Sequence, residues 1–302
     1  MFPALLTTFL FSFSVLFASR SSKVVGSMQA NVSRLILAMI LLGIWAHGWG
    51  GGLSGAGLPW FLLSGVIGFG LGDIALFCAL PRIGPRLAIL LTQCLAAPIA
   101  GVSEYLLLGT QPPLTEVTFC AIILAGVALA LAPDTHWEGD AKAFKLGVLF
   151  GIGSATGQAL GAVFSRRGNA VAAVADSIVD GGTAAYQRII AGVLTTLVFW
   201  AVLTLLGKSK EPRHPASVWK QATPLVVGNA LSGPTFGVAC FQWALLTTPS
   251  VKVLPIVATS PLVTMGLAWM MEGTKPSRRA ILGGVLAVSG AAGLAWIQAH
   301  GR

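Results

Sequence analysis

The sequence predicts an all-α integral membrane protein of ten transmembrane helices, arranged as two inverted five-helix repeats. Three observations predict it. Ten apolar stretches, each about one bilayer thickness long, fill nearly all of the 302 residues, and a helix needs ~20 apolar residues to cross the hydrocarbon core. Hydrophobic residues make up 55% of the chain and charged residues 10%, with a mean hydropathy of +0.82, against ~25% charged in a soluble domain. Finally, a shift of 164 residues lays the later spans of the second half on those of the first, the earlier helices aligning with shorter offsets: Pro85 falls on Pro249, Leu90 on Leu254, Gly126 on Gly290, and Gly109-Thr110-Gln111-Pro112 on Gly273-Thr274-Lys275-Pro276.

The first span, 3–19, carries no Lys or Arg. It lacks the basic start of a secretory signal and reads as a retained helix. The second, 31–49, opens with Arg34. The third, 59–80, holds Asp73 within Gly70-Leu-Gly-Asp-Ile-Ala-Leu-Phe77, beside a small-residue face of Ser64, Gly68 and Gly72. The fourth, 86–108, carries Gln93, Pro98 and Glu104. Gln93 and Glu104 are 11 residues apart, about 20° on a helical wheel, so they share one face with Ala97 and Gly101 between them. The fifth, 115–132, is almost free of polar side chains from Ile122 to Leu131.

A polar linker at 134–143 separates repeat 1–133 from repeat 144–302. The sixth span, 144–165, carries Gln158 and a face of Gly153, Gly157 and Gly161. The seventh, 184–206, opens with Arg188, the counterpart of Arg34. The eighth, 222–245, contains Asn229, Pro234 and Gln242. The ninth, 250–272, contains Pro255 and Pro261 and ends at Glu272. The tenth, 279–298, presents Gly283, Ala287 and Ala291, and Ser289 is its one polar residue between Ile281 and Trp296. Five spans per half is an odd number, so the second copy enters the membrane upside down. Inverted repeats are a recurrent transporter architecture, with the binding site near the midplane where the halves meet.

Other classes have little support. Barrel strands alternate apolar and polar residues over ~10-residue segments, and the run from Leu146 to Phe164 does not. The four cysteines, Cys78, Cys94, Cys120 and Cys240, fall inside spans without a CxxC pair and read as small buried apolar residues. His47, His136, His214 and His300 form no ligand pair, and no phosphate-binding loop is present. No enzyme activity, metal or cofactor is therefore expected. The net charge of +9 comes from residues at helix ends and in short loops. That placement signals topology rather than nucleic-acid binding.

With these residues in view, the chain resembles the EamA type of the drug/metabolite transporter superfamily over residues 5 to 298. The passages that carry the resemblance run from Ala79 through Gln93 to Pro98, then Leu106-Leu-Leu-Gly-Thr110, and from Ala258-Thr-Ser-Pro261 to Met271-Glu272-Gly273. The family's acidic residue beside glycine is present as Glu272-Gly273; in the first half Leu108-Gly109 holds the place and Glu104 lies one turn earlier. The resemblance implies transport, mostly export, of small metabolites, amino acids or drugs, by a multi-pass protein of the bacterial inner membrane. Lipid-linked sugar flipping and a non-transporting scaffold are the alternatives. The expected partners are a small-molecule substrate and the lipid bilayer.

Ionisable groups inside spans cost at least ~2.5–3.5 kcal/mol at a helix centre and so mark function. Asp73 is the leading candidate, to bind a cationic group or a coupling proton. Glu104 and Gln93 could line a cavity wall, or Glu104 could meet water at the membrane edge. Arg34 and Arg188 read either as interfacial anchors or as substrate contacts. Gln158, Asn229 and Gln242 read as interhelical hydrogen-bonding groups or pore lining. The central cavity is expected between the first four helices of each half, with the fifth and tenth outside. The small-residue faces are expected to pack within the chain, and a homodimer through one of them stays open. Lys and Arg number 14 in the loops after odd spans and 5 elsewhere. That count puts both termini outside, whereas the resemblance implies both in the cytoplasm.

Overall fold

The computed structural model of the chain describes residues 1–132, 140–207, 214–272 and 277–300. The described residues are mostly helical, with no strand among them. Ten helices are long and apolar enough to cross a membrane: α1 Phe2–Val25, α2 Met28–Gly48, α3 Leu58–Ile83, α4 Leu87–Leu108, α5 Leu114–Leu131, α6 Ala141–Val174, α7 Gly181–Leu205, α8 Ala216–Thr247, α9 Ser250–Leu267 and α10 Arg278–Ile297. Large apolar side chains such as Phe9, Ile44, Leu149, Val198 and Val288 point outward on these helices. Such a surface suits lipid rather than water. Most of the linker, and the second copy of the Gly-Thr-x-Pro passage at 273–276, lie outside the described residues.

Several helices outrun their apolar windows. α6 continues nine residues past the expected end at 165, because Arg166 and Arg167 sit comfortably in a helix even though they end its hydropathy. Arg167 then lays its guanidinium 5.7 Å from the ring of Trp60. No loop separates α3 from α4. Helical backbone runs unbroken from Asp73 to Leu108 through Pro81 and Pro85, so the expected boundary near 81–85 is a helical connection. α4 ends at Gly109, whose φ of 68° supplies the left-handed cap.

The ninth span is broken instead. It consists of Ser250–Val257 and Ser260–Glu272, parted at Ala258-Thr259 between Pro255 and Pro261. Hydroxyls from α1 reach the carbonyls around the break: Thr8 Oγ1 donates to Ile256 O at 3.1 Å and Ser12 Oγ to Ser260 O at 2.9 Å. Neighbouring Ser and Thr side chains restore the hydrogen bonding of an interrupted membrane helix in this way. Of the other proline sites, Pro234 lies in a π-helical stretch of α8, whereas Pro98 leaves α4 unbroken.

The glycine faces explain which helices touch. The α3 face meets the α6 face: Gly68 lies opposite Gly161 and Gly72 opposite Gly157. A Cβ on Gly157 would stand 2.6 Å from Gly72 Cα, so only glycine allows this approach. Ser64 Oγ closes the same seam on Gly161 O and Ser165. α5 and α10 pair likewise, with Gly126 against Gly283 and Ala287. All three small-residue faces are therefore used inside the chain.

Helices at equivalent places in the two halves also meet each other. α2 lies along α7, with Gly43 against Tyr186 and Gly50 against Asp180 and Thr183. Later residues of one contact earlier residues of the other, so they run antiparallel. The same holds for α5 and α10, where Phe119 meets Gly293 and Ala130 meets Gly283. The two halves are thus joined through matched helices of opposite direction.

Candidate functional site

Two stretches of π-helix interrupt the α-helical backbone, Val66–Gly72 in α3 and Leu231–Thr235 in α8. Under the 164-residue shift the second falls within the first. Both contain helix-weakening residues: Gly68, Gly70 and Gly72 in one, Gly233 and Pro234 in the other. Such stretches occur mostly as single turns inside α-helices and frequently at functional sites. Here each one positions a polar or aromatic group toward the junction of the halves.

Asp73 follows directly on the first π stretch. Its Oδ2 lies 4.0 Å from Arg34 Nη2, with side-chain exposures of 29% for Asp73 and 20% for Arg34. Arg34 is steadied by its own helix, its Nε donating to Asn31 Oδ1 at 2.8 Å. From the other half, Arg188 acts on the same carboxylate electrostatically. One acidic group of the first repeat thus stands in the field of an arginine from each repeat.

Arg188 is no interfacial anchor. It sits seven residues into α7 and is only 5% exposed. Its guanidinium lies 5.2 Å from the ring of Phe69, in the π stretch of α3, and 6.0 Å from that of Phe241 on α8. The glycine seam makes room for it: a Cβ on Gly68 would stand 3.1 Å, and one on Gly161 3.4 Å, from Arg188 Nη2. Arg188 Nε has no hydrogen-bond partner among the described residues. Asn229, just before the second π stretch, accepts from Ser14 Oγ at 2.7 Å. Gln242 is 1% exposed, and neither of its amide atoms finds a partner among the described residues.

Gln93 and Gln158 meet across α4 and α6, with Gln158 Nε2 donating to Gln93 Oε1 at 3.3 Å. Glu104 faces α6 as well, one end of the same polar stripe. It does not meet water: it is 1% exposed. Arg166 Nε stands 3.3 Å from its Oε1, and Ser250 gives its backbone N–H at 2.7 Å and its hydroxyl to Oε2. Arg166 Nη1 also donates to the carbonyls of Leu245 at 3.0 Å and Leu246 at 3.4 Å. This ion pair therefore joins α4 and α6 to the end of α8 and the start of α9. A second pair, Lys252 Nζ with Glu116 at 2.7 Å, joins α9 to α5. Sequence reading missed Arg166, Lys252 and Glu116 because each lies near a span end, where a charge is expected in any case. Glu272 closes the second segment of α9. No member of the Arg34–Asp73–Arg188 cluster comes from α5 or α10.

The EamA-like transporter family matches this chain over residues 1–132 and 145–296, one segment in each half. The chain belongs to that family. Membership makes it a multi-pass membrane transporter of the drug/metabolite transporter superfamily. No curated protein matches the chain in sequence. A solved crystal structure of a protein resembles this EamA-family chain over 98% of its length and 97% of the other's, with a TM-score of 0.71 and 20% identity. At that identity the likeness is one of fold.

Proposed function

We propose that this EamA-family chain is a secondary transporter that exports small organic solutes by alternating access between its two repeats, in the bacterial inner membrane. The observation that carries the reading is the burial of Arg188 of the second repeat against Phe69 and Gly68 of the first, a few residues along α3 from the Arg34–Asp73 ion pair. Charges this deep in a membrane protein face the bundle interior and mark a solute or ion path. The seat of Arg188 on α3 crosses the repeats and so changes whenever the repeats move relative to each other. The two π stretches supply backbone that can shift beside that contact, and the broken α9 supplies a second place to bend.

Coupling to protons follows from the same group. Asp73 pairs with Arg34 next to the junction of the halves, and protonating it removes that attraction. Transport on this reading needs no nucleotide-binding motif, in agreement with the sequence. The test is a growth screen of cells overexpressing the chain against a library of toxic metabolites and drugs. Wild type should raise tolerance to at least one compound class, and Asp73→Asn should not. Equal tolerance with wild type, variant and empty vector across the library would contradict the transport reading.

A further inference from the structure

We infer that Arg188 anchors the carboxylate of a small organic monoanion with an apolar body, and that this is the solute class of the site. The inference rests on the proposed transport for its use, but its test is one of binding. Buried polar groups nearly always find hydrogen-bond partners, yet Nε of this 5% exposed arginine has none among the described residues. Two aromatic rings lie against the guanidinium, Phe69 at 5.2 Å and Phe241 at 6.0 Å. The unpartnered Nε belongs to the guanidinium edge, where N–H groups lie in one plane. A carboxylate matches that edge with two parallel hydrogen bonds.

Charge balance points the same way. Two guanidiniums, Arg34 and Arg188, stand near the junction with one carboxylate, Asp73, which pairs with Arg34. The cluster carries one positive charge in excess, and an unbalanced buried charge is unfavourable. A single negative charge restores neutrality; a cationic amine adds to the excess, and a dianion overshoots it. The surroundings are apolar and aromatic, since Phe241 also packs on Phe11, with ring centroids 6.5 Å apart. Asp73, already paired with Arg34, then balances that charge rather than receiving an amine.

The experiment measures thermal unfolding of the purified full chain in detergent with benzoate, phenylacetate, benzamide, benzylamine and phenyl phosphate. The two carboxylates should raise the midpoint in a saturable way, and the neutral amide and the amine should not. Arg188→Lys, which keeps the charge and loses the fork, should weaken benzoate binding at least tenfold. Gly68→Ala, which places a methyl against Nη2, should weaken it as well and supplies the comparison if Arg188→Lys does not fold. Stabilisation by amide or amine equal to that by benzoate would overturn the inference. So would tighter binding of phenyl phosphate, no effect of either carboxylate, or unchanged benzoate affinity in the folded variants. Failure of the transport reading shows elsewhere, in the tolerance screen.

Discussion

Arg166 holds Glu104 at 3.3 Å in a site where the carboxylate is 1% exposed. Its remaining oxygen caps the start of α9 through Ser250. Removing one partner of a buried pair leaves the other charge uncompensated, which costs about 3–5 kcal/mol. Glu104→Ala should therefore lower the unfolding midpoint in detergent clearly. Glu104→Gln, which can still accept from Ser250, should lose less. Equal and small effects of both variants would show that the pair contributes little to the fold.

The α3–α6 seam makes a second prediction. A side chain at Gly157 must displace the Gly72 backbone, which its Cβ would approach to 2.6 Å. Overpacking a close interface costs about 1–3 kcal/mol. Gly157→Val should reduce the folded yield and thermal stability, whereas Gly284→Val, where a Cβ meets nothing within 4 Å, should be tolerated. Similar behaviour of the two variants would argue against this seam.

Asp180 caps α7 outside its membrane segment. Partial burial pushes its carboxyl up, but hydrogen bonds from Thr183, Trp45 and Gly182 outweigh this and hold it below the usual carboxylate value. A carboxyl lowered on folding stabilises the protein fully above its unfolded value of about 3.9. That contribution is lost as pH falls further, through the folded value. Asp180→Asn should therefore lower the midpoint at neutral pH, and the gap from wild type should close below about pH 4. A gap that is constant with pH would mean that the carboxylate's charge plays no part. Trp45 Nε1 donates to the same carboxylate at 2.8 Å, so indole fluorescence should change along with it.

The ten spans and the repeat were legible because both are long-range averages: twenty apolar residues, or a recurring Pro and Gly register, survive local irregularity. The glycine faces were legible too, since a spacing of four puts small residues on one side of a helix. Which faces meet was not, because Gly72 and Gly157 are brought together by the whole bundle. Asp73, Arg34 and Arg188 could each be picked out by cost in a membrane, but their convergence depends on α7 lying against both α2 and α3. Arg166 was hidden by its position one residue past an apolar window. The π stretches leave only a glycine-rich signature, which in sequence reads as packing. The helical connection between α3 and α4 was masked by Pro81 and Pro85, residues that usually signal a loop.

The central claim, proposed above, is that Asp73, paired with Arg34 at the junction of the repeats, couples solute movement to protons. The direct measurement is solute flux in proteoliposomes across an imposed pH gradient, using a compound identified by the tolerance screen. Wild type should show flux that depends on the gradient. Asp73→Asn should fold and insert normally yet lose that dependence, with a milder effect from Glu272→Gln. Asp73→Asn flux that matches wild type in both rate and pH dependence would contradict the claim and leave Asp73 as a packing residue.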